Sequence, residues 1–360
     1  MRFAMMSLMG VLLLAACGAR PDAALLLPQI VAEPEGTRIV RVHSVTTRTT
    51  PPTAPWAYGV DRAPAPQYGA FDISIPPGHV PGQIEWPDSF DTADPATDFV
   101  TRRQLRMDRA GFLGQVGRGE VGVYVHGYNT SFQEALYRLA QLATDSRLDG
   151  APVLFSWPAH ESVAAYLADR DGADYSRDAL VGLLSDLTVG RSPNDPVMVL
   201  GHSMGGRLVV EALRQLRLTG RGDVLDRLEV VLAAPDIDID VFRSQIAVIG
   251  KQRHPITVLI SSDDRALKAS ARLANSRTRL GQADVNDPAI QRLAVEAGLR
   301  IVDITALPAG NDPHNRYVDL FSAPGQGATM NPITGLRRAG AFIFNQAGGT
   351  LRGIGTVLAD

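Results

Sequence analysis

The residues whose types and spacing most directly indicate chemistry are Gly201–Gly205, with the sequence GHSMG. The pattern G-x-S-x-G forms a sharp turn that exposes a serine hydroxyl when a strand precedes it and a helix follows it. The apolar run Pro196–Leu200 predicts that strand, and apolar residues at helical spacing predict a helix over Met204–Leu216. We therefore expect Ser203 to be a nucleophile.

A serine nucleophile requires a general base and an acid that orients it. Where this turn occurs, the chain order is serine, then acid, then histidine. Asp263 and Asp264 follow the predicted strand Ile256–Ser261, at the end of a strand where catalytic groups collect in open α/β sheets. Only one of the seven histidines, His314, lies downstream of them, and we predict that it is the base.

The choice of acid stays open at this point. Asp263 and Asp264 both adjoin a predicted helix over Arg265–Ser276, and an aspartate at a helix start commonly caps the helix. Asp236, after the preceding predicted strand, is a third candidate. We favour Asp264.

Acyl transfer also needs donors for the oxyanion of the transition state. One is the backbone N–H of the residue after the nucleophile, here Met204, and the other comes from a loop after an earlier strand. That loop is His126–Asn129, which follows the apolar strand Val121–Val125. We expect the Tyr128 N–H to be the second donor, and His126 to hold the loop in place.

Strands and helices alternate from about residue 96, which predicts a mostly parallel, doubly wound α/β sheet with helices on both faces. A different pattern precedes this core. Arg38–Thr49, Tyr68–Ile75 and Gln83–Trp86 are predicted strands, and the proline-rich stretch Pro51–Pro66 is predicted to have no regular structure. Residues 159–194 are a candidate cover for the site, with Tyr128 and Trp157 as apolar walls.

The N-terminus is typical of an export signal. Arg2 precedes an apolar run over Phe3–Ala16, which is too short to span a bilayer. The sequence Leu-Ala-Ala-Cys ending at Cys17 resembles the lipobox of bacterial lipoproteins, which implies cleavage before Cys17 and a lipid anchor on its thiol. Gly18 follows, and by the same resemblance it favours the outer membrane, with the protein facing the periplasm.

Composition limits the other classes of function. The chain has 360 residues, 45% of them apolar, and a net charge of −3, which argues against nucleic-acid binding. A single cysteine excludes an intrachain disulfide and any multi-cysteine metal centre. No metal or organic cofactor is expected.

Several segments together resemble one protein family. VYVHGYNTSF, VLFSWPA, VLGHSMGG, LAAPDID and SSDDRALKAS, in this order, are similar to the α/β-hydrolase superfamily, and most similar to a bacterial family of largely uncharacterised esterase/lipase-like proteins. The resemblance covers roughly residues 38–320 and implies a serine hydrolase fold. The segment SSDDRAL is what favours Asp264 as the acid.

The predicted organisation is a signal peptide over residues 1–17, a tether over 18–36, an α/β-hydrolase domain over 37–322 and a Gly/Ala-rich tail over 323–360. Within the domain, residues 37–95 form N-terminal strands and 96–322 the catalytic core. We expect hydrolysis of a small-molecule or lipid acyl ester. The alternatives are an inactive scaffold lipoprotein with this fold, or an amidase or acyltransferase with the same triad.

Overall fold

The computed structural model describes residues 20–274, 278–307 and 312–322, together with the backbone of two short strands at 342–344 and 351–353. The predicted signal peptide and Cys17 lie outside the described residues, as does most of the predicted C-terminal tail. No described helix has the length and apolar character needed to cross a bilayer.

Eleven strands and ten α-helices make up the described chain. The strands are β1 (Arg38–Arg48), β2 (Arg62–Ile75), β3 (Val100–Met107), β4 (Glu120–Val125), β5 (Gly150–Ser156), β6 (Val197–His202), β7 (Leu228–Ala233), β8 (Thr257–Ile260), β9 (Arg300–Asp303), β10 (Phe342–Phe344) and β11 (Leu351–Gly353). The helices are α1 (Arg109–Val116), α2 (Phe132–Asp145), α3 (Tyr166–Tyr175), α4 (Arg177–Leu187), α5 (Met204–Leu218), α6 (Gly222–Leu225), α7 (Ile239–Ile249), α8 (Arg265–Leu273), α9 (Pro288–Ala297) and α10 (Val318–Ser322).

All the strands belong to one sheet with the order β11-β10-β9-β8-β7-β6-β4-β5-β1-β2-β3. The seven adjacent strands β9-β8-β7-β6-β4-β5-β1 are parallel to one another. Antiparallel strands extend the sheet at both edges. The chain runs from β4 outward to β5 and then returns to β6 on the other side of β4. The strand order therefore reverses between β4 and β6, and such a reversal opens a crevice at the carboxyl ends of the strands.

Helices cover both faces of the sheet, as the sequence predicts. The valines of β4 at positions 121, 123 and 125 contribute to a core shared with α4, α5 and α7. Tyr124, pointing the other way, belongs to a second core with α2 and the segment that contains Leu25 and Leu26. Because a central strand is buried on both faces, its sequence is apolar throughout rather than alternating.

Most predicted elements of the core are confirmed, but the N-terminal third differs. Residues 83–86 do not form a strand, whereas β3 and α1, which the sequence analysis did not predict, follow shortly after. The proline-rich stretch is irregular only up to Asp61, because β2 begins at Arg62 and contains Pro64 and Pro66. These prolines lie where the β1–β2 register shifts and before β3 pairs with β2, so few ladder hydrogen bonds are lost.

The segment predicted to be a tether contacts the domain at Arg20 and is buried at Leu25 and Leu26. Residues Ala23–Leu26 form a short 3₁₀ helix whose Leu25 and Leu26 are buried. The carbonyl of Leu25 accepts hydrogen bonds from the hydroxyls of Thr101 and Tyr137. The short predicted helix near 161–168 is instead a 3₁₀ turn at Val163–Ala165 followed by α3.

Candidate active site

Ser203 occupies the turn between β6 and α5, at the point where the strand order reverses. Its backbone has φ 53° and ψ −119°, a left-handed conformation that non-glycine residues rarely adopt. The Ser203 N–H donates to the carbonyl of Ala233 at 2.9 Å, which ties the turn to the end of β7. Strain of this kind persists where the surroundings hold it, and such positions cluster at functional sites.

Two glycines allow this turn to fit against the neighbouring strand. A Cβ at Gly205 would lie 2.3 Å from the carbonyl oxygen of Val125, and one at Gly201 would lie 2.8 Å from the Cα of Gly206. Real Cβ atoms do not approach other heavy atoms so closely, so α5 can start this near β4 only without those side chains. The motif's glycines are therefore explained by packing in this chain.

His314 and Asp264 are in direct contact. Nδ1 of His314 lies 2.7 Å from Oδ2 of Asp264, which is fully buried after β8. Burial alone would lower the pKa of His314, but the hydrogen bond and negative charge of Asp264 outweigh it, so the pKa lies above the ordinary value of 6.5. A carboxylate on Nδ1 also favours the tautomer whose Nε2 is free to accept a proton.

Ser203 and His314 line the same cavity, which has a volume of about 510 Å³. No hydrogen bond joins the Ser203 hydroxyl to Nε2 of His314 in this structure. The tertiary structure thus brings the serine and the His–Asp pair to one cavity, without a hydrogen bond between Ser203 and His314.

The two other candidate acids have different partners. Asp263 accepts two hydrogen bonds from Arg316, at 2.6 and 2.9 Å, and these hold the pKa of Asp263 far below its usual value. Asp236 is buried at the cavity wall, where it lies 3.0 Å from Nε of Arg279 and accepts a hydrogen bond from the Tyr166 hydroxyl. Neither is paired with His314.

The predicted oxyanion donors are close to the serine. Gly127 lies against the serine turn, since a Cβ built there would come within 3.1 Å of the Cβ of Ser203. Within the described residues, the N–H groups of Met204 and Tyr128 donate to no protein acceptor. They are therefore free to donate to a substrate oxygen, which is what an oxyanion hole requires.

A buried polar network, not foreseen from the sequence apart from His126, holds the loop that carries Tyr128. The His126 ring lies within hydrogen-bond distance of the Gly127 carbonyl and the Ser156 hydroxyl, and burial lowers its pKa to about 3. Arg48, fully buried at the end of β1, donates to Ser156 and to the carbonyl of Thr130. The mixed apolar and polar sequence of β1 contained no signal that its last arginine would be buried.

His202, inside the motif, is a second residue that sequence reasoning missed. Its Nε2 lies 3.2 Å from the carbonyl oxygen of His314, and since a carbonyl only accepts, Nε2 carries the proton. Burial lowers the pKa of His202 well below 6.5, so the ring is neutral. The ring also packs against those of His314 and Tyr317, at 4.7 Å between centroids in each case. His202 therefore positions the backbone of His314.

The cavity walls are partly as predicted. Tyr128, Val163 and Tyr166 line the cavity, so the start of the 159–194 segment does cover one side of it. Trp157 does not line it, because its ring is fully buried and stacks on His126 at 4.9 Å. Within the described residues, no group of three or more His, Cys, Asp or Glu side chains is arranged to hold a metal ion.

The doubly wound sheet, the strained serine after β6 and the histidine in the same cavity define an α/β hydrolase. Comparison with protein families agrees, since residues 105–321 match the model of the family described as "Alpha/beta hydrolase of unknown function (DUF900)". That match spans more than half of the chain, so this protein belongs to that family.

Comparisons with curated proteins and with solved structures do not identify a function. No curated protein matches the chain. Among solved structures, a candidate hydrolase from Agrobacterium vitis S4 is 14% identical, with 61% of this chain and 84% of that chain covered and a TM-score of 0.29. The fold assignment therefore rests on the strand topology and the family match.

Proposed function

We propose that this protein is a serine hydrolase that cleaves carboxylic esters through an acyl-enzyme on Ser203. The observation that carries the proposal is the shared cavity. It contains a serine held at φ 53° and a histidine whose Nδ1 is bonded to a buried aspartate. Nucleophile, base and orienting acid are the three parts that nucleophilic acyl transfer requires.

The chemistry follows from these positions. Nε2 of His314 takes the Ser203 proton as Oγ attacks the acyl carbonyl, and the N–H groups of Met204 and Tyr128 stabilise the oxyanion. The ester C–O bond then breaks, and the alcohol leaves with the proton from His314. Water, deprotonated by His314, attacks the acyl-enzyme and releases the carboxylic acid and the free serine. Bonds between nucleophile and base commonly tighten only with substrate bound.

The first test is covalent labelling. A fluorophosphonate reacts with an activated serine, so we expect stoichiometric labelling of the purified protein and none of the Ser203→Ala variant. Ser262→Ala is the matched control, because Ser262 is an exposed serine after β8 that does not line the cavity, and its labelling should equal that of the wild type.

Turnover is measured with acyl esters of graded chain length. The Ser203→Ala and His314→Ala variants should each lose roughly 10³-fold or more in kcat while keeping the wild-type circular dichroism and thermal midpoint. Labelling that survives Ser203→Ala would refute the proposal. A protein that neither labels nor turns over any ester or amide would instead be a scaffold with this fold.

A further inference from the structure

The rim of the cavity exposes large apolar side chains. Val163 and Leu273 line the cavity, yet they are 65% and 60% exposed. Ile84 and Trp86 line the same cavity, on the segment before β3. Apolar side chains that open to solvent around a site, rather than singly over the surface, mark a surface that contacts a protein or a membrane.

The first described residue of the chain is held at the same rim. Nη2 of Arg20 donates to the backbone carbonyl and the side-chain oxygen of Asn129, at 2.9 and 2.7 Å. Nη1 of Arg20 lies 3.5 Å from a carboxylate oxygen of Glu134. Asn129 and Glu134 both line the cavity, so Arg20 is fixed beside its opening.

Cys17 precedes Arg20 by only three residues in the sequence. The packing of Leu25 and Leu26 prevents the chain from moving away as a flexible tether. A lipid on Cys17 would therefore be attached three residues before one that is held beside the cavity.

We propose that the cavity opening faces the bilayer and that the substrate is an acyl ester of a lipid in the leaflet that holds the Cys17 anchor. The substrate assignment rests on the proposed hydrolase function. An acyl chain leaving the bilayer would pass Val163 and Leu273 on its way to Ser203, so its apolar surface would stay covered. Burial of apolar surface is worth roughly 25 cal/mol per Å², which makes this entry more favourable than one through water.

The orientation is tested with a single reporter thiol. If Cys17 is acylated, a cysteine introduced elsewhere is the only free thiol in the chain. Leu273→Cys and Leu218→Cys are matched, since these leucines are 60% and 59% exposed. Leu218 is at the far end of α5, roughly 21 Å along the helix from Met204. Each full-length lipidated variant is labelled with a polarity-sensitive dye in vesicles of phosphatidylethanolamine and phosphatidylglycerol.

Lipids brominated on their acyl chains should quench the dye at position 273 at least threefold more strongly than the dye at position 218. Equal quenching would overturn the orientation, and so would a mass spectrum showing no lipid on Cys17. Both readouts are independent of catalysis.

The substrate class is tested with the same vesicles. The double variant Val163→Ser/Leu273→Ser should release fatty acid from the vesicle lipids at least fivefold more slowly than the wild type. The control Val189→Ser/Leu218→Ser removes apolar side chains of similar exposure that do not line the cavity, and it should match the wild type. Hydrolysis of a soluble ester without any release from vesicles would overturn the lipid substrate but not the hydrolase. Loss of both reactions in the wild type would overturn the hydrolase itself.

Discussion

Asp264 performs two tasks with one carboxyl group. Oδ1 accepts the N–H of Leu267 and caps α8, while Oδ2 is bonded to His314. The capping role considered from the sequence is therefore compatible with the catalytic one. The neighbouring Asp263 binds Arg316, so adjacent aspartates hold the histidine and the arginine two positions later in the chain. Together they fix the turn that presents His314.

At the residue scale, this geometry predicts a pH effect. Asp264 raises the pKa of His314, and a base must be neutral to act, so the activity of the wild type should fall as the pH drops through a pKa above 6.5. Asp264→Asn removes the negative charge and no longer fixes the tautomer of the His314 ring. The acidic limb of the kcat/KM–pH profile should therefore move to lower pH, and kcat should fall by roughly 10⁴-fold. The measurement is kcat/KM against pH.

The matched comparisons are Asp263→Asn and Asp236→Asn. On the proposed mechanism Asp263→Asn should leave the acidic limb in place, because Asp263 is paired with Arg316. Asp236→Asn should move the limb less than Asp264→Asn does, because the charge of Asp236 raises the pKa of His314 without a hydrogen bond to its ring. A limb that moves in one of these variants and not in Asp264→Asn would identify a different acid.

At the scale of elements, one segment before β3 depends on a histidine clamp. Nδ1 of His79 lies 2.7 Å from Glu85, and Nε2 lies 2.9 Å from Asp145 at the end of α2. These two contacts join α2 to the segment whose Ile84 and Trp86 line the cavity. Burial lowers the pKa of His79, but the bonds to both carboxylates outweigh it and the pKa is raised.

The sign of this shift sets the expected pH dependence of stability. Because the folded-state pKa is raised, the clamp stabilises the fold fully below the unfolded pKa of about 6.5, and the stabilisation is lost as the pH rises through the folded pKa. His79→Gln should therefore lower the free energy of unfolding by about 2 kcal/mol at pH 5.5 and by less at pH 9. Urea unfolding at both values measures it.

His254→Gln is the control for the clamp. Its Nε2 lies 2.8 Å from the backbone carbonyl of Pro193, so no carboxylate partner is lost. We expect a smaller change than His79→Gln produces at pH 5.5. A change for His79→Gln that does not depend on pH would contradict the clamp.

At the scale of the whole molecule, the packed N-terminal segment is part of the folding unit. Leu26 is fully buried in the core with α2, whereas Ile30, four residues later, is 98% exposed. Leu26→Ala should destabilise the protein by about 2–5 kcal/mol through the cavity it leaves. Ile30→Ala should change stability by less than about 0.5 kcal/mol. Equal thermal midpoints for the two variants would show that the segment does not contribute to the core.

Local patterns in the sequence sufficed for the core of the fold. Apolar strands that alternate with amphipathic helices predict the parallel sheet, because a helix satisfies its backbone hydrogen bonds internally, whereas a strand must pair with another strand and be covered by the helices. The serine turn was predictable for the same reason, since a strand, a glycine-flanked serine and a helix are contiguous in the chain. The chain order then left His314 as the one candidate for the base.

Contacts between distant segments were decided only by the tertiary structure. The pairing of His314 with Asp264 rather than Asp236 depends on how two loops fifty or more residues apart meet. Arg48 and His202 gain their positions from contacts with residues distant in the chain, which leave no periodic signal in the sequence. The segment predicted to be a tether is instead anchored by two leucines, because the sheet and α2 together provide the apolar surface that covers them.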